Sequence, residues 1–146
     1  MRPHKAIIRE FLDNGSTLVV MGETGPDRRL EDIDFKRIPT NYWWWLEPGA
    51  SLGLEIAAPE HSLFRRLGPR DIAWHLHGSF APTAGAESLI NDGEGRSILY
   101  IDERTTNGRV VVTSLDPFYH HGSHFMPATT KFLDGFLPWL TEDLSA

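Results

Sequence analysis

The sequence predicts an α/β fold with helices packed on a largely parallel sheet. Two observations carry this. An amphipathic stretch stops at Asn14-Gly15 and leads into the apolar run Thr17-Leu18-Val19-Val20-Met21. A short strand without polar alternation is one covered on both faces, as parallel strands between helices are. Two glycine-bearing turns, Asn91-Asp92-Gly93-Glu94-Gly95 and Thr106-Asn107-Gly108, add one or two antiparallel hairpins in the C-terminal half.

Pro3 suits the first turn of a helix, where its missing N–H costs nothing. Ile7, Ile8, Phe11 and Leu12 follow at helical spacing as one apolar stripe, and Asn14-Gly15 stops the helix. The strand over Thr17 to Met21 comes next, with a sharp turn over Gly22 to Pro26. Residues 27–50 show little periodicity and contain Asn41-Tyr42-Trp43-Trp44-Trp45. Leu52 to Ile56 reads as a strand, and Pro59 to Phe64 as a loop or short turn. Asp71 to His77 alternates, which predicts a strand with Ile72, Trp74 and Leu76 on one face and His75 and His77 on the other. Glu87 to Ile90, Ser97 to Ile101 and Arg109 to Ser114 are further strands. Residues 115–126 read as a loop. Pro127 opens a last helix whose buried face is Phe132, Leu133, Phe136, Leu137 and Leu140, and Pro138 kinks or ends it.

At 146 residues, with no repeat and no linker, residues 1–146 are expected to form one domain. The net charge of −6 argues against a nucleic-acid partner, and the pairs Arg28-Arg29 and Arg65-Arg66 are too small to reverse it. The absence of cysteine excludes disulfides, zinc–thiolate sites and cysteine nucleophiles. No apolar run approaches the ~20 residues of a membrane span. Arg9, Glu10 and Asp13 interrupt any signal-peptide core, so a cytoplasmic protein is expected.

The motifs resemble the later part of the class I glutamine-amidotransferase-like fold, and within it the trehalose-utilisation (ThuA-like) group. The likeness lies in the helix running into Asn14 to Gly22, in Glu60-His61-Ser62-Leu63-Phe64-Arg65-Arg66-Leu67, in Gly108-Arg109-Val110-Val111-Val112-Thr113-Ser114-Leu115-Asp116, and in the terminal Leu137-Pro138-Trp139-Leu140. It implies a flavodoxin-like three-layer sandwich. The family's N-terminal strand and helix have no counterpart, which implies a short form, an absent piece or a partner that completes the sheet. Glu23 stands where active members place the cysteine, and Asp116 where the later strand delivers their histidine. Glutaminase chemistry through a thioester is excluded by residue type.

Five of the seven histidines fall in two clusters, Trp74-His75-Leu76-His77 and His120-His121-Gly122-Ser123-His124. In an open α/β sheet, ligands gather at the carboxyl ends of the strands. That rule collects Glu23, His75, His77 and the segment from Asp116 to His124. A His-x-His pair on one strand face can hold a single divalent metal, and neutral imidazole plus carboxylate suits zinc, iron or manganese. We assign His75, His77 and one of His120, His121 and His124 as ligands, with His121 as the third. Glu23, Asp116 and His120 are the candidate acid–base residues. Two plainer readings stay open: a metal-free acid–base site, or histidines bonded to backbone and carboxylates around a loop. Glu23 likewise reads as a general acid or base, or as a cap on its own turn.

Trp44, Trp45, His75 and Tyr119 are candidate contacts for a small polar ligand. Adjacent tryptophans on a strand cannot all face one core. They stack on a sugar, in keeping with the ThuA-like resemblance, or they form a lid or a subunit contact. The functional alternatives are a cysteine-less amidotransferase-like domain binding a small polar ligand, a carbohydrate among the candidates, and a non-catalytic module that associates with itself or a partner. Asp102-Glu103-Arg104 closes a strand and reads as an acidic metal-ligand pair or as a solvated strand end, of which the second is expected.

Overall fold

The computed structural model describes residues 3–30, 33–39, 43, 46–123 and 126–144. Helix α1 spans Pro3–Asp13, strand β1 Thr17–Met21, the single turn α2 Pro26–Arg29, β2 Asp34–Arg37 and β3 Glu55–Ile56. A 3-10 turn covers Ser62–Arg65. Strands β4 (Gly78–Ala81), β5 (Glu87–Asn91), β6 (Ser97–Asp102) and β7 (Arg109–Thr113) follow, then helices α3 (Pro117–Gly122) and α4 (Pro127–Pro138) and a π turn over Trp139–Asp143.

The described strands form one seven-stranded mixed sheet. Its order is β1-β7-β6-β4-β2, with β5 on β6 and β3 on β5. Only the pair β1–β7 is parallel among the described residues; the other five pairings are antiparallel. The expectation of a largely parallel, flavodoxin-like three-layer sandwich is therefore corrected. The physical reason lies in the connections. Short turns such as Asp92–Gly95, where the Asp92 carboxylate accepts from the Glu94 and Arg96 amides, return the chain beside the strand it left. Among the described residues only the long excursion between β1 and β7 brings two strands together in the same direction.

The two sheet faces have separate cores. Leu99, Ile101 and Val111 point to one, packed with Trp74, Leu89, Phe132, Phe136 and Trp139; α4 covers this face. Their neighbours Tyr100, Val110 and Val112 point to the other, with Leu12 of α1, Leu30 and Phe80. Each fully buried aromatic or branched side chain is worth about 1.5–3 kcal/mol relative to exposure. In α1 the apolar stripe divides: Leu12 is buried and Ile8 packs on the second core, whereas Ile7 and Phe11 face solvent at 64% and 46% exposure. β1 ends the sheet and is only half-buried, so it is not the fully covered strand expected. In α4, Phe132, Leu133 and Phe136 are buried as expected, but Leu137 is turned outward.

The segment 71–77 is a series of turns rather than a strand. The Trp74 indole donates to the Asp71 carbonyl at 3.0 Å and the Trp74 amide to Ile72 O, which folds the chain back on itself. Ile72, Trp74, His75, Leu76 and His77 are all buried, so the alternation of residue types does not report two faces. The strand expected over 52–56 shrinks to β3, while β2, β4 and α3 are additions. Asp102 is buried rather than solvated; its carboxylate accepts from the Thr83 and Thr105 hydroxyls and from the Arg104 and Thr105 amides. Among the described residues no helix is long and apolar enough to cross a membrane.

Candidate functional site

The parallel pair β1–β7 sets Met21 beside Thr113. The Gly22 amide extends the pairing by donating to Thr113 O at 3.0 Å. Glu23 and Asp116 thus leave the sheet at one end. Gly22 takes a left-handed backbone, φ +62°, and a Cβ there would stand 2.7 Å from Asp116 Cγ. Glycine allows both the turn and the close approach.

Asp116 caps α3, accepting from the Tyr119 amide at 3.4 Å, and Pro117 opens the helix. This cap sets the phase of α3. His120 turns inward and is 4% exposed; Phe118 and Tyr119 turn outward. His121, one position on, is exposed, with Nδ1 3.0 Å from Thr130 Oγ1. Successive helical residues diverge by about 100°, so His120 and His121 cannot share a target.

His75 and His77 come from the turns before β4. The antiparallel register of β2 on β4 places Arg37 opposite Gly78, and the Ile38 amide donates to His77 O at 3.2 Å. Arg37 therefore lies next to the histidines and forms an ion pair with Glu23. Glu23 Oε1 is also 3.5 Å from His77 Nδ1.

His75, His77 and His120 form a compact buried trio. One ring nitrogen of each lies within 4.8 Å of the others. The His75 and His120 rings are 4.2 Å apart and perpendicular, and His75 and His77 are 5.4 Å apart. Trp74 meets both His75 and His120 edge-on, and Tyr119 lies 5.2 Å from His120. Burial, then the nearby His120 and His77, push the His75 imidazole down to about 4. Burial also lowers His120, against the opposing pull of Asp116. Both rings are thus held neutral at pH 7, the form that donates a lone pair to a metal. His120 Nε2 is buried with no hydrogen-bond partner among the described residues. Leaving such a nitrogen unsatisfied costs about 1–3 kcal/mol, which a bound cation would relieve.

Of the residues read from sequence, the structure brings together His75, His77, His120 and Glu23, with Asp116 supporting His120. It does not bring in His121; the third imidazole of the trio is His120, assigned from sequence to acid–base work. Tyr119 borders the trio but is 70% exposed. Trp44, Trp45 and His124 lie outside the described residues. Arg37 and Trp74 are site residues that sequence reasoning missed. Arg37 sits in a polar stretch without periodicity, and the Asp116-Pro117 cap was the available signal for His120.

No family model matches the chain, and no curated protein does. A solved structure described as "mmIFT52 N-terminal domain" is similar, with a TM-score of 0.48 and 16% identity over 93% of this chain and 69% of that chain. That likeness carries no reading of chemistry.

Proposed function

We propose that His75, His77 and His120 hold one divalent transition metal, and that the chain uses it on a small polar ligand. The observation that carries this reading is the mutual approach of three buried imidazoles within 4.8 Å. Two nitrogens on a tetrahedral zinc stand about 3.3 Å apart, given bonds of about 2.0–2.1 Å, so small ring movements complete the set. Three protein ligands leave a position for water or substrate, and such a metal makes bound water acidic and polarises an oxygen. Zinc and iron suit the three imidazoles, and manganese would call on a carboxylate as well.

The carboxylate of Glu23 faces His77 Nδ1, which would leave Nε2 of that ring as the metal ligand, as with carboxylates behind ligating histidines. Oε1 takes both the Arg37 and the His77 contacts, leaving Oε2 for proton transfer. Asp116 fixes His120 through the α3 cap. A sugar or similarly polar compound is the candidate ligand, with Glu23 and Arg37 as polar groups beside the trio. A cytoplasmic setting belongs to the same reading, since a cysteine-free chain needs no oxidising compartment.

The test is metal analysis of the purified protein after exposure to zinc, iron and manganese in turn. About one equivalent per chain is expected, lost in His75→Ala and His120→Ala and kept in His121→Ala. A folded protein that takes up none of the three metals overturns the reading.

One observation favours a second reading, association of two copies. The apolar strand β1 ends the sheet, and Ile7 and Phe11 are exposed on α1 beside it. Light scattering on the intact chain and on Phe11→Glu tests it; a monomer at every concentration rejects it.

A further inference from the structure

Beside the trio a groove of about 740 Å³ opens between the first turn of α1, the Gly22–Arg28 bend and β2. It is large enough for a small ligand. Lys5, Arg28 and Arg37 line it, with Glu23 and Asp27 against them and Phe35 as an apolar wall. Phe35 is braced by Phe80, with ring centres 5.0 Å apart.

Three cations against two carboxylates leave an excess of one positive charge, on a chain whose net charge is −6. The cations also differ in what they already do. Arg37 is taken by Glu23. Arg28 is exposed and has no ion-pair partner among the described residues. The Lys5 ammonium makes one 3.3 Å bond to Leu30 O, which leaves two of its three donors. Gly25, between Glu23 and Arg28, puts no side chain into the groove. Glu23 lines this groove and also stands 3.5 Å from His77 Nδ1, so one residue borders both the groove and the trio.

We infer that the groove receives the anionic group of a small ligand, a phosphate or a carboxylate, on Lys5 and Arg28. The rest of the ligand then lies along Phe35 and presents its polar end past Glu23 to the histidines. Charge-assisted bonds from an ammonium and a guanidinium supply the orientation. Arg37 pairs with Glu23 and offsets its charge beside the anion. The inference rests on the metal reading in one respect only, that the trio is where the far end of the ligand goes.

Calorimetric titration of metal-free protein with inorganic phosphate, glucose 6-phosphate, gluconate and glucose tests it. The anionic probes are expected to bind at one site and glucose to bind at least about tenfold more weakly, with affinity falling as salt rises. Whichever of glucose 6-phosphate and gluconate binds more tightly names the anion. Arg28→Glu and Lys5→Gln, both changes at the groove wall, are expected to weaken anion binding about tenfold or more while metal content stays as in the parent. No anion binding to the metal-free parent, or anion binding that is unchanged in both variants, overturns the inference. A protein that takes no metal yet loses phosphate binding in Arg28→Glu supports the groove and sinks the metal centre alone.

Discussion

Gly22 lies directly against the carboxyl group of Asp116, so close that a Cβ at position 22 would stand 2.7 Å from Asp116 Cγ. One contact thereby joins the bend carrying Glu23 to the helix carrying His120. Gly22→Ala is expected to destabilise the protein by about 2 kcal/mol or more, from backbone strain at φ +62° plus displacement of Asp116, and to weaken metal uptake. Gly15 is the control, since it has φ +83° and nothing within 4 Å of the added Cβ. Gly15→Ala should cost only the strain, about 1 kcal/mol. Urea unfolding of both variants decides; equal losses would mean the Asp116 contact is unimportant.

Acid should unfold the metal-free protein in two regions. His75 binds its proton near 6.5 when unfolded and near 4 when folded. Between those values the unfolded chain holds more protons, so stability rises with pH there. The contribution is full above about 6.5 and is lost as pH falls toward about 4. The Asp102 pKa is lowered too, which for an acid favours the charged form. Burial would raise its pKa, but the Thr105, Arg104 and Thr83 hydrogen bonds outweigh burial and lower it. Its contribution is present above 3.8 and fades below that. Denaturation midpoints measured from pH 8 to 3 should show the upper region flattened in His75→Leu and unchanged in His121→Leu.

Asp102→Asn keeps the shape and removes the charge that four donors share. A loss of about 2 kcal/mol is expected, in the range for hydrogen bonds to charged groups. Thermal unfolding at neutral pH checks it. A variant as stable as the parent would show that the buried turn is held by its backbone alone.

Gly135→Ala improves helix propensity yet should destabilise. The new methyl would meet the Leu67 side chain and come within 2.9 Å of Arg66 O, where α4 crosses the 3-10 turn. A net loss of about 1–3 kcal/mol is expected from overpacking. A gain in urea midpoint would show that the turn yields.

Much of the fold was legible because local patterns and tertiary context agree. Asn14-Gly15 stops α1, the Asp92 turn joins β5 to β6, and Phe132 and Phe136 mark the buried side of α4. Strand direction was not legible. A helix, a glycine turn and an apolar strand suggest a parallel sheet, and β1 does pair in parallel, but with a single neighbour. The alternation from Ile72 to His77 has period two, yet the Trp74–Asp71 bond makes it a folded loop with both kinds of side chain inside. The site shows the same division. The two histidine clusters were visible as clusters, whereas the choice of His120 over His121 depends on helix phase, which follows from a cap that pattern reading had placed in a loop.

The register of β1 on β7 has a kinetic meaning. Pairing Val19 with Val111 closes a span of about 90 residues, a slow and entropically unfavourable event compared with zipping the β5–β6 ribbon. Glu23 rides on the strand that waits for this closure, and His120 follows the strand that receives it. A nascent chain still emerging from the ribosome therefore carries His75 and His77 before the strand that leads to His120 has met β1.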